Sequence, residues 1–120
     1  MRLSSTQIGR SGEYYVCHLL EAAGIEVTRI DGQFDLLAVL PSGRLVRIEV
    51  KTATRHMRGF SVFHRGMSVC DFWALYSVEA GIVRIVPNDS QYVRPKRIRV
   101  PVGDFTEELA RRDIEALLAF

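Results

Sequence analysis

Two carboxylates and a lysine stand at a spacing that suits metal-assisted hydrolysis of a phosphodiester: Asp35, then Glu49 and Lys51 in the run Arg47-Ile48-Glu49-Val50-Lys51. They lie in two stretches rich in strand formers, Phe34 to Leu40 and Arg44 to Thr52, joined by Pro41-Ser42-Gly43. That tripeptide is a short hairpin signal, with glycine where a positive φ is needed. With Leu40 opposite Arg44, Leu36 faces Ile48, Ala38 faces Val46 and Asp35 faces Glu49. One side of the hairpin is then apolar and the other carries the charges. A slip of one residue would scatter the apolar set over both sides and part Asp35 from Glu49, so register and site support each other.

Like charges directly opposed in a sheet, with Cβ atoms about 4.5 to 5.5 Å apart, are destabilising unless a counterion joins them. A hard divalent cation with oxygen ligands fits that need. Lys51, two residues past Glu49, projects from the same side about 7 Å further along the strand. There it can orient a water or hold a phosphate oxygen. The plainer alternative is an exposed strand face on which Glu49 and Lys51 are solvated neighbours.

At these residues the chain resembles the PD-(D/E)xK nucleases, whose signature is an acidic residue, a short hairpin and (D/E)-x-K, here Asp35, Glu49 and Lys51. Phe34 stands where the name-giving proline would be, a departure that leaves the ligands untouched. The resemblance extends upstream to Gly12-Glu13, as in archaeal Holliday-junction resolvases and intron-homing-type endonucleases, and downstream to Asp71-Phe72-Trp73-Ala74-Leu75-Tyr76 and Ile85-Val86-Pro87. It implies a restriction-endonuclease-like core, a catalytic set of Glu13, Asp35, Glu49 and Lys51, and cleavage that leaves a 5′-phosphate. It also implies Mg²⁺, with Mn²⁺ as a substitute, held by Asp35, Glu49, the Val50 carbonyl and Glu13.

The elements that must position these groups read as α/β, a mixed central β-sheet flanked by helices, in the coarse order α-β-β-β-α-β. Ile8, Tyr15, Val16, Leu19, Leu20 and Ala23 recur at helical spacing from Thr6 to Ala23, and Gly24 suits the C-terminal cap. Glu13 borders that buried stripe. Gly9 or Gly12 could equally mark a late start, with Ser11 as N-cap. Glu26 to Ile30 is a short strand before an Asp31-Gly32-Gln33 turn. After Thr52 comes an Arg-, His- and Gly-rich loop containing His56 and His64 and a Phe60 to Phe63 strand candidate. Asp71 to Val78 and Ile82 to Pro87 form a second hairpin, with Trp73 and Tyr76 read as packing residues. Asn88 to Pro101 reads as an irregular arm with an edge strand at Ile98 to Val100. Asp104-Phe105-Thr106-Glu107 has capping-box spacing ahead of an amphipathic helix that docks on the sheet or a partner.

At 120 residues, 48% hydrophobic and 25% charged, the chain fits one domain, 1–120, with no room for a second. No run is long enough for a membrane span and Met1 to Ser5 lacks a signal-peptide core, so a cytoplasmic protein without a membrane partner is expected. Cys17 and Cys70 fit reduced, buried thiols rather than zinc ligands. The net charge of +2 is small, but its distribution is uneven. Lys51, Arg55, Arg58 and Arg65 form one basic segment, and Arg84, Arg94, Lys96, Arg97 and Arg99 another. With Arg10 on the first helix, Arg55, Arg58, Arg65, Arg94, Lys96, Arg97 and Arg99 are candidate DNA contacts. The expected activity is a metal-dependent endodeoxyribonuclease, with selectivity for DNA structure in the manner of a junction resolvase as one form of it. A homodimer is expected because one small domain carries one site. The alternatives are a non-catalytic nucleic-acid-binding module and a subunit of a larger nuclease assembly.

Overall fold

The computed structural model describes residues 3–30, 35–54, 59–64 and 70–120. The first helix, α1 (Ser5–Ala22), begins at Ser4 with a full capping box. The Ser4 hydroxyl accepts from the Gln7 N–H, and the Gln7 side chain accepts from the Ser4 N–H. The helix therefore starts before Gly9, and Ser11 is interior rather than a cap. Gly24, at φ +86°, turns the chain out of it into β1 (Glu26–Ile30).

Strands β2 (Asp35–Val39) and β3 (Leu45–Ala53) form the expected hairpin in the expected register, Asp35 opposite Glu49, Leu36 opposite Ile48 and Ala38 opposite Val46. Next come β4 (Phe60–Phe63), β5 (Phe72–Ser77) and β6 (Ile82–Pro87). The main sheet runs β1-β2-β3-β5-β6, antiparallel except for the parallel pair β3–β5. Two short strands, β7 (Val93–Arg94) and β8 (Arg97–Val100), join β4 in a second sheet ordered β4-β8-β7. The chain ends in α2 (Glu107–Ala119).

The class is as expected, a five-stranded mixed sheet flanked by helices, but three details differ. The described residues do not follow the order α-β-β-β-α-β: between β3 and β5 they contain strand β4 and no helix. Phe60 and Val62 alternate with Ser61 there, a period of two rather than of three or four. Ile98 to Val100 is the centre of the small sheet and not an edge, because β4 crosses over to pair with it. The cap of α2 is Thr106, whose hydroxyl accepts from the Leu109 N–H. Asp104 belongs instead to a 3-10 turn, and its carboxylate accepts from the Tyr92 hydroxyl at 2.7 Å.

Alternation along β2 and β3 divides the core in two. Leu36, Ala38, Val46, Ile48 and Val50 face one side, where they pack with Val16 and Leu20 of α1 and Leu117 of α2. Trp73, Leu75 and Val86 face the other side and pack with Phe60, Ile98 and Val100 of the small sheet. Trp73 is fully buried, as expected of a packing residue. The small sheet thus covers the β5–β6 half of that second face.

Each helix is tied to one edge strand. Along β6, the Asp113 carboxylate of α2 accepts from the Ile85 N–H at 2.9 Å and from Arg84 Nε at 2.6 Å. That bond occupies a main-chain donor on an edge strand, the kind of group that otherwise invites pairing with another chain. Arg84, counted from sequence with the basic arm, is 5% exposed and belongs to the interior. It also donates to the Asp104 carbonyl at 2.7 Å. Burial pulls its pKa down, but its hydrogen bonds to Asp113 and Tyr92 outweigh that and leave it raised. On the other flank α1 lies on β3 at Gly12, where an added Cβ would sit 1.9 Å from Thr52 Oγ1. No helix among the described residues is long and apolar enough to cross a membrane.

Candidate active site

The β2–β3 hairpin sets the geometry. Directly opposed residues of an antiparallel pair share a face, so the Asp35 position, Glu49 and Lys51 lie on the side away from the helices. The parallel register puts Glu49 beside Trp73 and Lys51 beside Leu75 on that same side. Trp73 and Leu75 are covered by the small sheet, whereas Glu49 and Lys51 keep 22% and 32% of their side chains exposed. The Lys51 Nζ stands 4.0 Å from Glu49 Oε2. The charged pair is therefore reachable from solvent at the border between an open and a covered half of one sheet face.

The Val50 carbonyl follows from the ladder. The Leu40 N–H bonds to the Arg44 carbonyl at 2.9 Å, which makes Leu40–Arg44 a hydrogen-bonded pair. Such pairs recur at every second residue. Val46, Ile48 and Val50 therefore direct their main-chain groups toward the β2 side, while the Arg47 carbonyl points to β5 and accepts from the Asp71 N–H at 2.8 Å. Val50 is the next such residue beyond the last described pair, Asp35–Glu49. Its carbonyl points toward the β2 side at the end of the hairpin where Asp35 sits.

Glu13 is placed differently from the other three. It is 2% exposed, and its Oε1 accepts from Nε of Arg29 on β1. Arg29 is opposite Leu36, so it reaches Glu13 on the helix side of the sheet, not on the side of Glu49. The guanidinium also donates to the Tyr14 hydroxyl at 3.1 Å and stacks on that ring at 4.5 Å. The hydrogen bond to Glu13 raises the Arg29 pKa further, so this cation is permanent. Sequence reasoning did not single out Arg29. Its signal was a charged residue on the inward-facing parity of a strand, beside a helix that buries a glutamate.

Among the described residues, no three His, Cys, Asp or Glu side chains gather as a metal site. The donor set suits a hard cation nonetheless: Glu49 and the opposed Asp35 position offer carboxylate chemistry, and Val50 adds a carbonyl, with no thiolate or imidazole. Cys17 and Cys70 form no disulfide; Cys70 is buried as expected, whereas Cys17 is half-buried. Burial, and then the Glu13 carboxylate, push the Cys17 thiol up, so it is neutral and unsuited to nucleophilic work.

Of the candidate DNA contacts, Arg10, Arg94, Lys96 and Arg99 are exposed and Arg97 is half-buried. Arg55, Arg58 and Arg65 lie outside the described residues, as do His56 and the Asp31 turn. His64 is taken up by structure: its backbone N–H donates to the Lys96 carbonyl at 3.2 Å, and its ring lies 5.3 Å from that of Trp73. A groove of about 290 Å³ between α1 and α2, lined by Tyr15, Leu19, Val83, Ile85, Ala110 and Ile114, lies on the helix side. It is mostly apolar and on the opposite face from Glu49 and Lys51, so it is not where the chemistry gathers.

No family model and no curated protein matches the sequence. Among solved structures, the chain is similar to a bacterial homing endonuclease, I-Ssp6803I, with 18% identity and a TM-score of 0.70. The match covers 98% of this chain and 89% of that one. At that identity the likeness is one of fold, and it extends over nearly the whole chain.

Proposed function

We propose that this chain is a Mg²⁺-dependent endodeoxyribonuclease of the PD-(D/E)xK type. The observation that carries the reading is the β2–β3 register, which opposes Asp35 and Glu49 and sets Lys51 4.0 Å from Glu49 on the open part of the face. The fold it shares with a homing endonuclease supports DNA as the substrate.

Asp35, Glu49 and the Val50 carbonyl would hold the ion. When bound, a divalent ion there polarises a phosphoryl oxygen and lowers the pKa of a coordinated water. The chain's own residues do the rest. Glu49 and the Asp35 position supply negative charge at one end of the hairpin. Lys51 positions the attacking water and offsets charge that builds on the phosphate. Glu13, whose Oε1 is held by Arg29 on the helix side of the sheet, stands off the ligand set and is assigned a positioning share, seating α1 behind the hairpin. Cutting both strands takes two such sites, and we place the chain in a two-fold homodimer. A sedimentation mass of one chain at assay concentration would overturn that part.

The test is cleavage of supercoiled plasmid, linear duplex, single strand and a synthetic four-way junction with Mg²⁺, Mn²⁺ or EDTA. Metal-dependent cutting that Glu49→Gln and Lys51→Ala both abolish is expected, and the preferred substrate separates resolvase-like from homing-like action. Glu49→Gln should cost less than about 1 kcal/mol of stability, because the lost pair with Lys51 is offset by relief of the opposed acids. DNA binding without metal-dependent cutting would give the lead to a non-catalytic binding module.

A further inference from the structure

The outer face of the small sheet repeats, with the opposite sign, the pattern that marks the acidic site. Arg94 and Arg97 are directly opposed across β7 and β8. Arg99 is two residues further along β8, and Ile98 and Val100 between and beyond point inward to the core. Three arginines therefore share one outward face, a cluster of positive charge of the kind that meets phosphate and base edges.

The turn between these strands adds a second sign of function. It consists of Pro95 and Lys96, and Lys96 has φ +66°, the one described non-glycine residue in that region. Proline followed by a residue of positive φ is the pattern of a type II turn, where glycine or asparagine is the usual second residue. A lysine there gives up backbone ease and places an ammonium at the tip of a hairpin. Strain kept at one exposed residue is a pointer to a binding role.

We propose that the β7–β8 hairpin enters the major groove of duplex DNA, with Arg97 and Arg99 reading base edges and Arg94 and Lys96 touching phosphates. Several features fit. The three strands β4, β8 and β7 span about 10 Å between outer backbones, which matches a major groove about 12 Å wide and not a minor groove of about 6 Å. Side chains two apart on a strand are about 7 Å apart, close to two base steps of about 3.4 Å each. Arg97 is oriented in advance, because its guanidinium donates to Ser61 Oγ on β4 at 2.8 Å. A fixed planar fork is the side chain best suited to guanine in that groove.

This inference rests on the reading of the chain as acting on DNA, and its test separates the two. The cleavage-defective Glu49→Gln chain is used to select bound sequences from a pool of random duplexes, alone and with Arg97→Ala, Arg99→Ala or Lys96→Gly added. Arg97→Ala and Arg99→Ala should each flatten the preference at one position, two base pairs apart, with about tenfold weaker binding of the selected site. Lys96→Gly should weaken all sequences alike, lower the salt slope by about one, and leave the melting temperature unchanged or higher. Equal loss over all sequences for the two arginine variants, or no loss, overturns the groove assignment. Cutting by the parent chain that is indifferent to all three substitutions also overturns it while sparing the nuclease reading. Selectivity that depends on Arg97 in a parent chain that never cuts would do the reverse, and a chain that binds no duplex sinks both.

Discussion

Each helix is joined to an edge strand of the main sheet by one arginine–carboxylate pair, and the two pairs are built differently. In Arg84–Asp113 the arginine is the buried member, both Asp113 oxygens are within 3.3 Å of its guanidinium, and the carboxylate also accepts from the Ile85 main chain. In Glu13–Arg29 the carboxylate is buried, and the arginine keeps 44% of its side chain exposed, stacked on the outward Tyr14. The first pair closes a sheet edge and is fully committed to structure. The second holds the buried Glu13 carboxyl group, midway along α1, with a cation that can return to water.

Substitutions should pull that contrast apart. The largest effect belongs to Arg84→Ala, which strands the Asp113 charge. A loss of about 3–5 kcal/mol is expected in urea unfolding. A loss near zero would mean that α2 is held by packing alone. Gly12→Ala comes next, at about 1–3 kcal/mol, because the new Cβ meets Thr52 Oγ1. Thr52 Oγ1 is buried without a hydrogen-bond partner, so Thr52→Ala should recover part of that loss, and a double-mutant cycle reads the coupling. Additive losses would show that α1 is seated elsewhere. Arg29→Ala leaves the buried Glu13 carboxylate without its cation and is expected to cost about 1–3 kcal/mol, less than Arg84→Ala because the half-exposed Arg29 site lets water reach it. It should also slow cutting about 10- to 100-fold, as for other residues that orient a site. A large stability loss with unchanged cutting would make the two tethers equivalent.

The smallest effect is one of pH. Burial and then Glu13 raise the Cys17 thiol above its ordinary 9.0, and burial and then Tyr15 raise the Tyr76 phenol above 10.0. The unfolded chain gives up these protons at lower pH than the folded one, so stability is intact below about pH 9 and falls as pH climbs through the folded values. Urea midpoints at pH 8 and pH 10 should show the drop, and Cys17→Ala should shrink it. A flat profile would place no titrating group on the α1 side of the core.

The part of the site nearest to sequence is the hairpin. Pro41-Ser42-Gly43 fixes the loop and the apolar alternation fixes the face, so Asp35, Glu49 and Lys51 could be aligned without coordinates. Arg29 and Arg84 were not legible in the same way. Each sits in a strand like any surface cation, and only the docking of a distant helix decides that one meets Glu13 and the other Asp113. The same holds for β8, whose central place depends on β4 arriving from the far side of β3. Local period and turn chemistry are written in a few adjacent residues, whereas the partner of a buried charge is a property of the assembled layers.

The parallel pairing of β3 with β5 also sets limits on how the chain can change. Ala53 leaves β3 level with Ser77, and Phe72 enters β5 level with Ile48, so the connection must run back the length of the paired strands. On the way it supplies β4 to the small sheet. Insertions between β3 and β4 would only lengthen that connection, but deletions would pull the strand bearing Glu49 and Lys51 against the small sheet. Such a chain can therefore gain length along this connection more readily than lose it, and moving the small sheet onto another fold would mean moving the connection with it.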